Sequence, residues 1–224
     1  MPEKFVSVAI DGPVGAGKSS IAREAAKRLG FIYVDTGALY RAIGLYCKRM
    51  GADLSSPQSI AEVSKGVTPE IRLIDGVQHI YLDGEDVSEE IRLPEISMAA
   101  SAVSAVPEVR AALLDLQRGL ARTSSVIMDG RDIGTVVLPN ATVKIFLTAA
   151  PEIRAKRRFD ELCAKGVKTT FEDVLADLNQ RDYNDSHRAS APLKQADDAV
   201  LADTSMLDFE QSCELVCNII REKL

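Results

Sequence analysis

Residues 5–20 read Phe-Val-Ser-Val-Ala-Ile-Asp-Gly-Pro-Val-Gly-Ala-Gly-Lys-Ser-Ser, and the order of chemistry along this stretch decides the fold. Residues 5–10 form a short apolar run, long enough for one buried strand. Gly12, Pro13, Val14, Gly15, Ala16, Gly17, Lys18, Ser19 and Ser20 follow, and the spacing from Gly12 through Gly17 to Lys18 and Ser19 fits the Walker A pattern. Residues 21–29 carry strong helix formers, and Gly30 can stop the helix they make. Strand, glycine loop and helix start in this order aim backbone N–H groups and the helix dipole at one spot. Gly12, Gly15 and Gly17 let the backbone wrap a polyphosphate where a Cβ would intrude. Lys18 can reach the β- and γ-phosphates, and the Ser19 hydroxyl can ligate Mg²⁺. The stretch predicts a nucleoside triphosphate site; the alternative is a plain glycine-rich turn.

The bulk properties narrow the remaining classes. A chain of 224 residues can bury one sizeable core and still carry an insertion. A hydrophobic content of 46% with 27% charged residues is ordinary for a soluble globular protein. The formal net charge of −6 argues against a surface built to coat nucleic acid, while leaving room for local arginine clusters. No apolar stretch approaches the roughly 18 residues of a membrane span, and the N-terminal apolar run breaks at Asp11, so no signal peptide is expected. Cys47, Cys163, Cys213 and Cys217 do not form a disulfide framework by spacing, and His79 and His187 lie far from them. Idle, reduced thiols and a cytoplasmic location are the expectation, with no nucleic-acid or membrane partner and a monomeric state.

Apolar runs recur at residues 5–10, 31–34, 126–128, 143–147 and 199–201, each short and largely apolar, as strands covered on both faces are. Helical segments separate them, so the core reads as α/β with a mainly parallel sheet. Ligands in such sheets bind outside the carboxyl ends of the strands, and Asp11, Asp35, Asp129 and Asp203 sit just past four of these ends. About ninety residues separate the second run from the third, where a dozen or more would make a crossover. Inside this gap, short β-like runs at 71–74 and 79–82 are each followed by Asp-Gly (Asp75-Gly76 and Asp83-Gly84), which predicts a small antiparallel meander. Pro94 and Pro107 each open a helical stretch. About residues 60–105 therefore read as an inserted sub-domain over the sheet's catalytic edge, or as a remote elaboration.

Asp129 ends the 126–128 run, where an acidic residue can hold Mg²⁺ beside the Ser19 hydroxyl. Gly130-Arg131-Asp132 adds a cation and a second carboxylate at the same edge. Arg154, Arg157 and Arg158 share a helix face by spacing, and Arg181, Asp185 and Arg188 would form a second stripe if their helix persists. Exposed salt-bridged helices would give the same patterns. Beside a triphosphate they look purposeful, because guanidinium forks hold phosphate bidentately. No Gly-x-Ser-x-Gly elbow or Cys–His pair is present, and phosphoryl transfer needs none, since alignment and charge neutralisation carry it. Arg41 and Arg131, next to two separate strand ends, could grip a phosphate acceptor.

At this point the chain resembles the bacterial-type cytidylate kinases, within the P-loop nucleoside monophosphate kinases, over about residues 5–222. The resemblance rests on Asp35-Thr36-Gly37-Ala38-Leu39-Tyr40-Arg41, on residues 84–92 and on Asp129-Gly130-Arg131-Asp132-Ile133-Gly134-Thr135-Val136-Val137. It continues in Lys144-Ile145-Phe146-Leu147, in residues 154–158, and in Arg181-Asp182-x-x-Asp185-x-x-Arg188 followed by Ala191-Pro192-Leu193. It implies a P-loop NTPase-type five-stranded parallel sheet with helices on both faces, a monophosphate-binding insert at about 60–105 and a helical lid at about 151–168. By the same resemblance, Thr36, Ser101 (with Ser104 the neighbouring alternative), Arg110 and Asp132 surround the cytosine ring. Arg41, Arg131 and Arg188 hold the acceptor phosphate, and Arg181 and Asp185 lie near the sugar. Thr36 stands where many relatives carry serine, keeping the hydroxyl and adding a methyl.

The implied reaction moves the γ-phosphoryl of Mg²⁺–ATP to CMP or dCMP. Catalysis falls to Lys18, Arg131, Arg154, Arg158 and Arg188, with Arg157 on ATP and with Ser19 and Asp129 on the metal. Asp132 and Arg110 suit cytosine, whose N4 amino group donates while N3 and O2 accept; uracil would leave both mismatched. Another acceptor such as UMP for the same machinery, or a non-catalytic nucleotide switch, are the alternatives.

Overall fold

Ala9 and Ile10 have no exposed surface, because the strand that carries them, β1 (Ser7–Asp11), has a parallel neighbour on either side. Those neighbours are β6 (Val126–Gly130) and β7 (Val143–Thr148), and β7 pairs in parallel with β8 (Val200–Asp203). With β2 (Ile32–Asp35) the sheet has five strands in the order β2-β6-β1-β7-β8. The computed structural model describes residues 5–74 and 76–224. They fall into two compact units, one running through Ile32 together with Ser125–Leu224, the other Tyr33–Ser124.

In the first unit, α1 (Lys18–Leu29) leaves the loop after β1 and stops at Gly30, whose left-handed backbone (φ 70°) returns its N–H to the Ala26 carbonyl. α8 (Phe209–Arg221) starts on a capping box in which Asp208 and Gln211 satisfy each other's backbone N–H groups. A two-pronged Arg28–Glu210 pair, at 2.8 and 2.6 Å, ties α1 to α8. α6 (Pro151–Ala164) and α7 (Phe171–His187) pack over Ala155, Val174 and Leu178, with Phe159 and Phe171 edge to face at 6.5 Å.

Each core strand ends at least one residue beyond the apolar run that announced it. Asp11, Asp35 and Asp203 are the last residues of their strands and Asp129 lies within β6, because backbone pairing continues through them, as in Asp11 opposite Gly130. The polar groups are therefore held by the sheet itself.

The Tyr33–Ser124 unit contains α2 (Thr36–Arg49), α3 (Pro57–Ser64), β3 (Glu70–Ile74), β4 (Val77–Leu82), β5 (Glu85–Asp86), α4 (Pro94–Ser104) and α5 (Pro107–Thr123). β3, β4 and β5 make the expected antiparallel meander. Asp83 and Gly84 turn it with positive φ at both positions (48° and 84°), as a tight hairpin demands. Asp75, in the other Asp-Gly pair, lies outside the described residues. A single apolar cluster, from Leu39 and Ile43 through Ile80 and Ile96 to Leu113, holds the unit together. Among the described residues, no single helix is long and apolar enough to cross a membrane.

Candidate active site

The loop between β1 and α1 is shaped by crowding. A Cβ on Gly12 would lie 1.9 Å from the Leu147 carbonyl oxygen, and its φ of 152° is one that side chains rarely adopt. Gly17, at the N-cap of α1 with φ 85°, offers no side-chain oxygen to the first-turn N–H groups. Lys18 is buried and donates from Nζ to the Pro13 carbonyl at 2.7 Å, folding back over the loop. Burial first, and then the charge of Arg131, pull its pKa from 10.5 down to about 7. A polyanion in the loop would push it back up. Ser19 Oγ donates to Asp129 Oδ2 at 2.7 Å, so the helix hydroxyl and the strand carboxylate meet as one pair of hard oxygens.

Val14 is held by both of its backbone groups. Its N–H donates to Asp182 Oδ1 at 3.0 Å, and its carbonyl accepts from Arg154 Nη1 at 2.8 Å. Arg154 and Asp182 pair with each other at 2.6 Å, and Arg154 Nε donates to Ala149 O. Arg154 thus supports the phosphate loop through its backbone. Arg157 donates to the carbonyls of Thr204 (2.7 Å) and Leu207 (3.3 Å), whereas Arg158 pairs with Glu161 on the exposed side of α6. The three arginines share a helix but not a partner.

After β6, two guanidinium–carboxylate pairs link this edge to the end of α7. Arg131 Nε donates to Asp185 Oδ2 at 2.7 Å, and Arg188 Nη2 to Asp132 Oδ1 at 3.3 Å. The helix stops at His187, and Arg188 itself is extended (ψ 142°), so the i, i+7 stripe gives way to a turn. Arg181, one helical turn before Asp185, lies 3.9 Å from Asp177. Asp11 is buried and accepts from the N–H groups of Ile133 and Gly134, both at 2.7 Å. Burial raises its pKa to about 6 despite these two donors.

In the Tyr33–Ser124 unit, Asp35 caps α2 by accepting from Ala38 N–H at 3.0 Å and pairs with Arg41 Nη2 at 2.6 Å. Arg41 Nε is buried with no partner among the described residues. Gln78 on β4 grips the Asp35 backbone twice, accepting its N–H at 2.8 Å and donating to its carbonyl at 3.1 Å. Thr36, the first residue of α2, is buried. Arg110 is buried too, donates to Ser104 O at 3.3 Å and lies 5.5 Å over the Tyr40 ring. The Ser104 hydroxyl is turned back onto the Ser101 carbonyl at 2.9 Å.

These features have relatives. The sequence profile of the family described as Cytidylate kinase matches residues 8–222. A protein named Cytidylate kinase from Caldicellulosiruptor bescii is 48% identical over 96% of this chain and 96% of its own. One of the same name from Caldanaerobacter subterraneus is 50% identical over 97% of this chain and 95% of its own. The chain belongs to the cytidylate kinase family. A solved structure of an uncharacterized protein from Eubacterium ventriosum, 11% identical, covers 96% of this chain and 98% of that one with a TM-score of 0.51, which speaks for the fold alone.

Within the cytidylate kinase frame, three polar side chains stand out that sequence reasoning did not single out as site residues: Asp11, Gln78 and Asp182. All three act on backbone groups, 122, 43 and 168 residues away in the chain. The only signal in the sequence was position, since Asp11 and Asp182 adjoin residues that were singled out.

Proposed function

We propose that this protein transfers the γ-phosphoryl group of Mg²⁺-bound ATP to CMP or dCMP, giving ADP and CDP or dCDP. One observation carries the reading. The phosphate loop, with buried Lys18 and the Ser19–Asp129 pair, shares its unit with the Arg131–Asp185 and Arg188–Asp132 pairs. Guanidinium groups matched to carboxylates can exchange those partners for phosphate oxygens when an acceptor arrives.

Residues Gly12 to Ser20 would take the triphosphate on backbone N–H groups, and Lys18 would meet the negative charge that spreads over the moving phosphoryl group. Arg131, Arg188 and Arg41 would hold the acceptor phosphate. Arg181 and Asp185 would take the sugar, and Thr36, Ser101, Arg110 and Asp132 the cytosine. Arg154 would act through Val14, Arg157 through the backbone of residues 204–207, and Arg158 from the exposed side of α6. Ser19 and Asp129 would hold Mg²⁺, and an oxygen pair of this kind suits an ion that keeps most of its shell for water and phosphate. That ion, when bound, neutralises charge on the β- and γ-phosphates. We assign the acceptor-binding insert to about residues 60–105 and the lid to about 151–168. The four unpaired cysteines suit a reducing, cytoplasmic setting, and the reading is of a monomer acting on small nucleotides.

The test is the initial rate of ADP release at fixed Mg²⁺–ATP with CMP, dCMP, UMP, AMP and GMP in turn. CMP and dCMP should lead, and equal rates with AMP would overturn the reading.

A further inference from the structure

Asp11 is a buried carboxylate beside the phosphate loop that the proposed reaction leaves without a task. It is 4% exposed, it is the last residue of β1 and adjoins Gly12, and both of its oxygens are occupied by backbone N–H groups from the segment after β6. Two charge-assisted bonds of 2.7 Å are short for N–H donors. They also fall on a segment with unusual backbone. Residues 133–137 form a wide helical turn in which Leu138 N–H reaches Ile133 O at 2.7 Å and Val137 N–H reaches Asp132 O at 3.2 Å, both spanning five residues.

The Ile133 amide is the peptide group whose direction is set by ψ of Asp132, observed at 26° with φ −145°. Fixing that N–H fixes the Asp132 backbone, and with it the origin from which the Asp132 carboxylate meets Arg188. The packing agrees. A Cβ on Gly134 would stand 3.3 Å from Asp11 Oδ2 and 3.1 Å from Lys144 Cδ, so the segment is seated against Asp11 with no room to spare.

We infer that Asp11 is a positioning residue for the acceptor: its carboxylate clamps the Ile133 and Gly134 amides to the start of the phosphate loop and thereby sets the aim of Asp132. The inference rests on the reading that Asp132 recognises the base. It makes the acceptor-recognition loop register on the residue next to Gly12, so the donor and acceptor loops are aligned through two hydrogen bonds to one side chain. A displacement of about 1 Å between reacting groups can cost on the order of 100-fold in rate, which is the scale such a clamp protects.

Asp11→Asn keeps one acceptor oxygen and turns an N–H₂ group toward the other amide, so one of the two bonds is lost. The expected result is a rise of about 10- to 100-fold in KM for CMP and a weakened preference for CMP over UMP. The Kd of Mg²⁺–ATP, measured by calorimetry without acceptor, should stay within about threefold. Gly134→Ala pushes the same segment off Asp11 while keeping the carboxylate, and should reproduce the acceptor-side pattern; it decides the matter if Asp11→Asn does not fold. Equal losses for ATP and CMP, or a lowered Tm with unchanged kinetics and selectivity in both variants, would overturn the inference. Asp132→Asn is measured beside them. If it keeps full CMP preference, the base-recognition reading fails first and takes the inference with it; if it alone loses preference while Asp11→Asn keeps it, the inference fails alone.

Discussion

Both units of this chain bury an apolar core, and they differ in the charge they bury with it. In the Tyr33–Ser124 unit the interior is a continuous apolar cluster, and Arg110 is the one charged side chain among its described residues that is less than a tenth exposed. The phosphate-loop unit buries Asp11, Lys18, Asp129, Asp132, Lys144 and Arg154 to that degree. Buried ions are costly unless paired, and the cost shows at Lys18, which donates to a carbonyl and has its pKa drawn far down. One unit spends its burial on cohesion. The other also buries cations and carboxylates around the phosphate loop.

Removing Lys18 tests this contrast hardest. Lys18→Met should lower transfer to CMP by about 10³-fold in steady-state assay, as loss of a transition-state charge contact does. It should also stabilise the nucleotide-free protein. The unfolded chain keeps the Lys18 proton up to pH 10.5, whereas the folded protein sheds it near pH 7. Below pH 7 both forms are protonated and the fold carries the whole cost of a buried ammonium group; between pH 7 and 10.5 that cost fades and the wild type gains stability. The Tm advantage of Lys18→Met should therefore be largest at pH 6 and shrink as the pH rises toward 10. A variant less stable than wild type at pH 6 would break the contrast.

The exception in the apolar unit gives the next test. Arg110 is buried where every neighbouring unit-mate of its burial class is apolar or neutral, so its charge has a job other than cohesion. Arg110→Met keeps most of the stem and removes the charge. Preference for CMP over UMP, read as the ratio of kcat/KM values, should drop by about 10²-fold, because a polar site is discriminating and an apolar one is not. Thermal stability should change little. Intact selectivity with a large fall in Tm would make Arg110 a structural residue and leave the unit without an exception.

What the sequence revealed divides along a similar line. The strand–loop–helix order of residues 5–29 and the apolar runs near 126–128 and 143–147 are local patterns, and local patterns are what composition and periodicity record. The runs misplace strand ends by a residue or two because hydrophobicity stops at Ile10 while backbone pairing goes on through Asp11 opposite Gly130. Phosphate-loop residues were legible for the same reason, since their spacing is fixed by one short turn. Clamps from a side chain to a distant backbone have no period. Asp182 on Val14, Gln78 on Asp35 and Asp11 on Gly134 are set by the topology that brings those segments together. Spacing likewise placed Arg154, Arg157 and Arg158 on a common face, yet their reach sends them to Val14, Thr204 and Glu161. Helical spacing also ran one residue too far at Arg188, where the chain has already left α7.

The smallest effect is expected where an arginine has the most visible partners. Arg49 at the end of α2 donates to both Glu85 oxygens and to Glu90, a denser set of contacts than Arg131 makes with carboxylates. All three side chains are more than a third exposed, so water and salt screen them. Holding two long side chains in one geometry costs conformational freedom that offsets much of the attraction. Arg49→Ala should lower the Tm by no more than about 3 °C, with the loss shrinking further in 0.5 M salt, and should leave the KM for CMP and the kcat unchanged. A larger, salt-insensitive loss would mean that the Tyr33–Ser124 unit depends on charge after all, and the distinction between its cohesion and that of the phosphate-loop unit would have to be drawn by burial of the pair and not by the unit it belongs to.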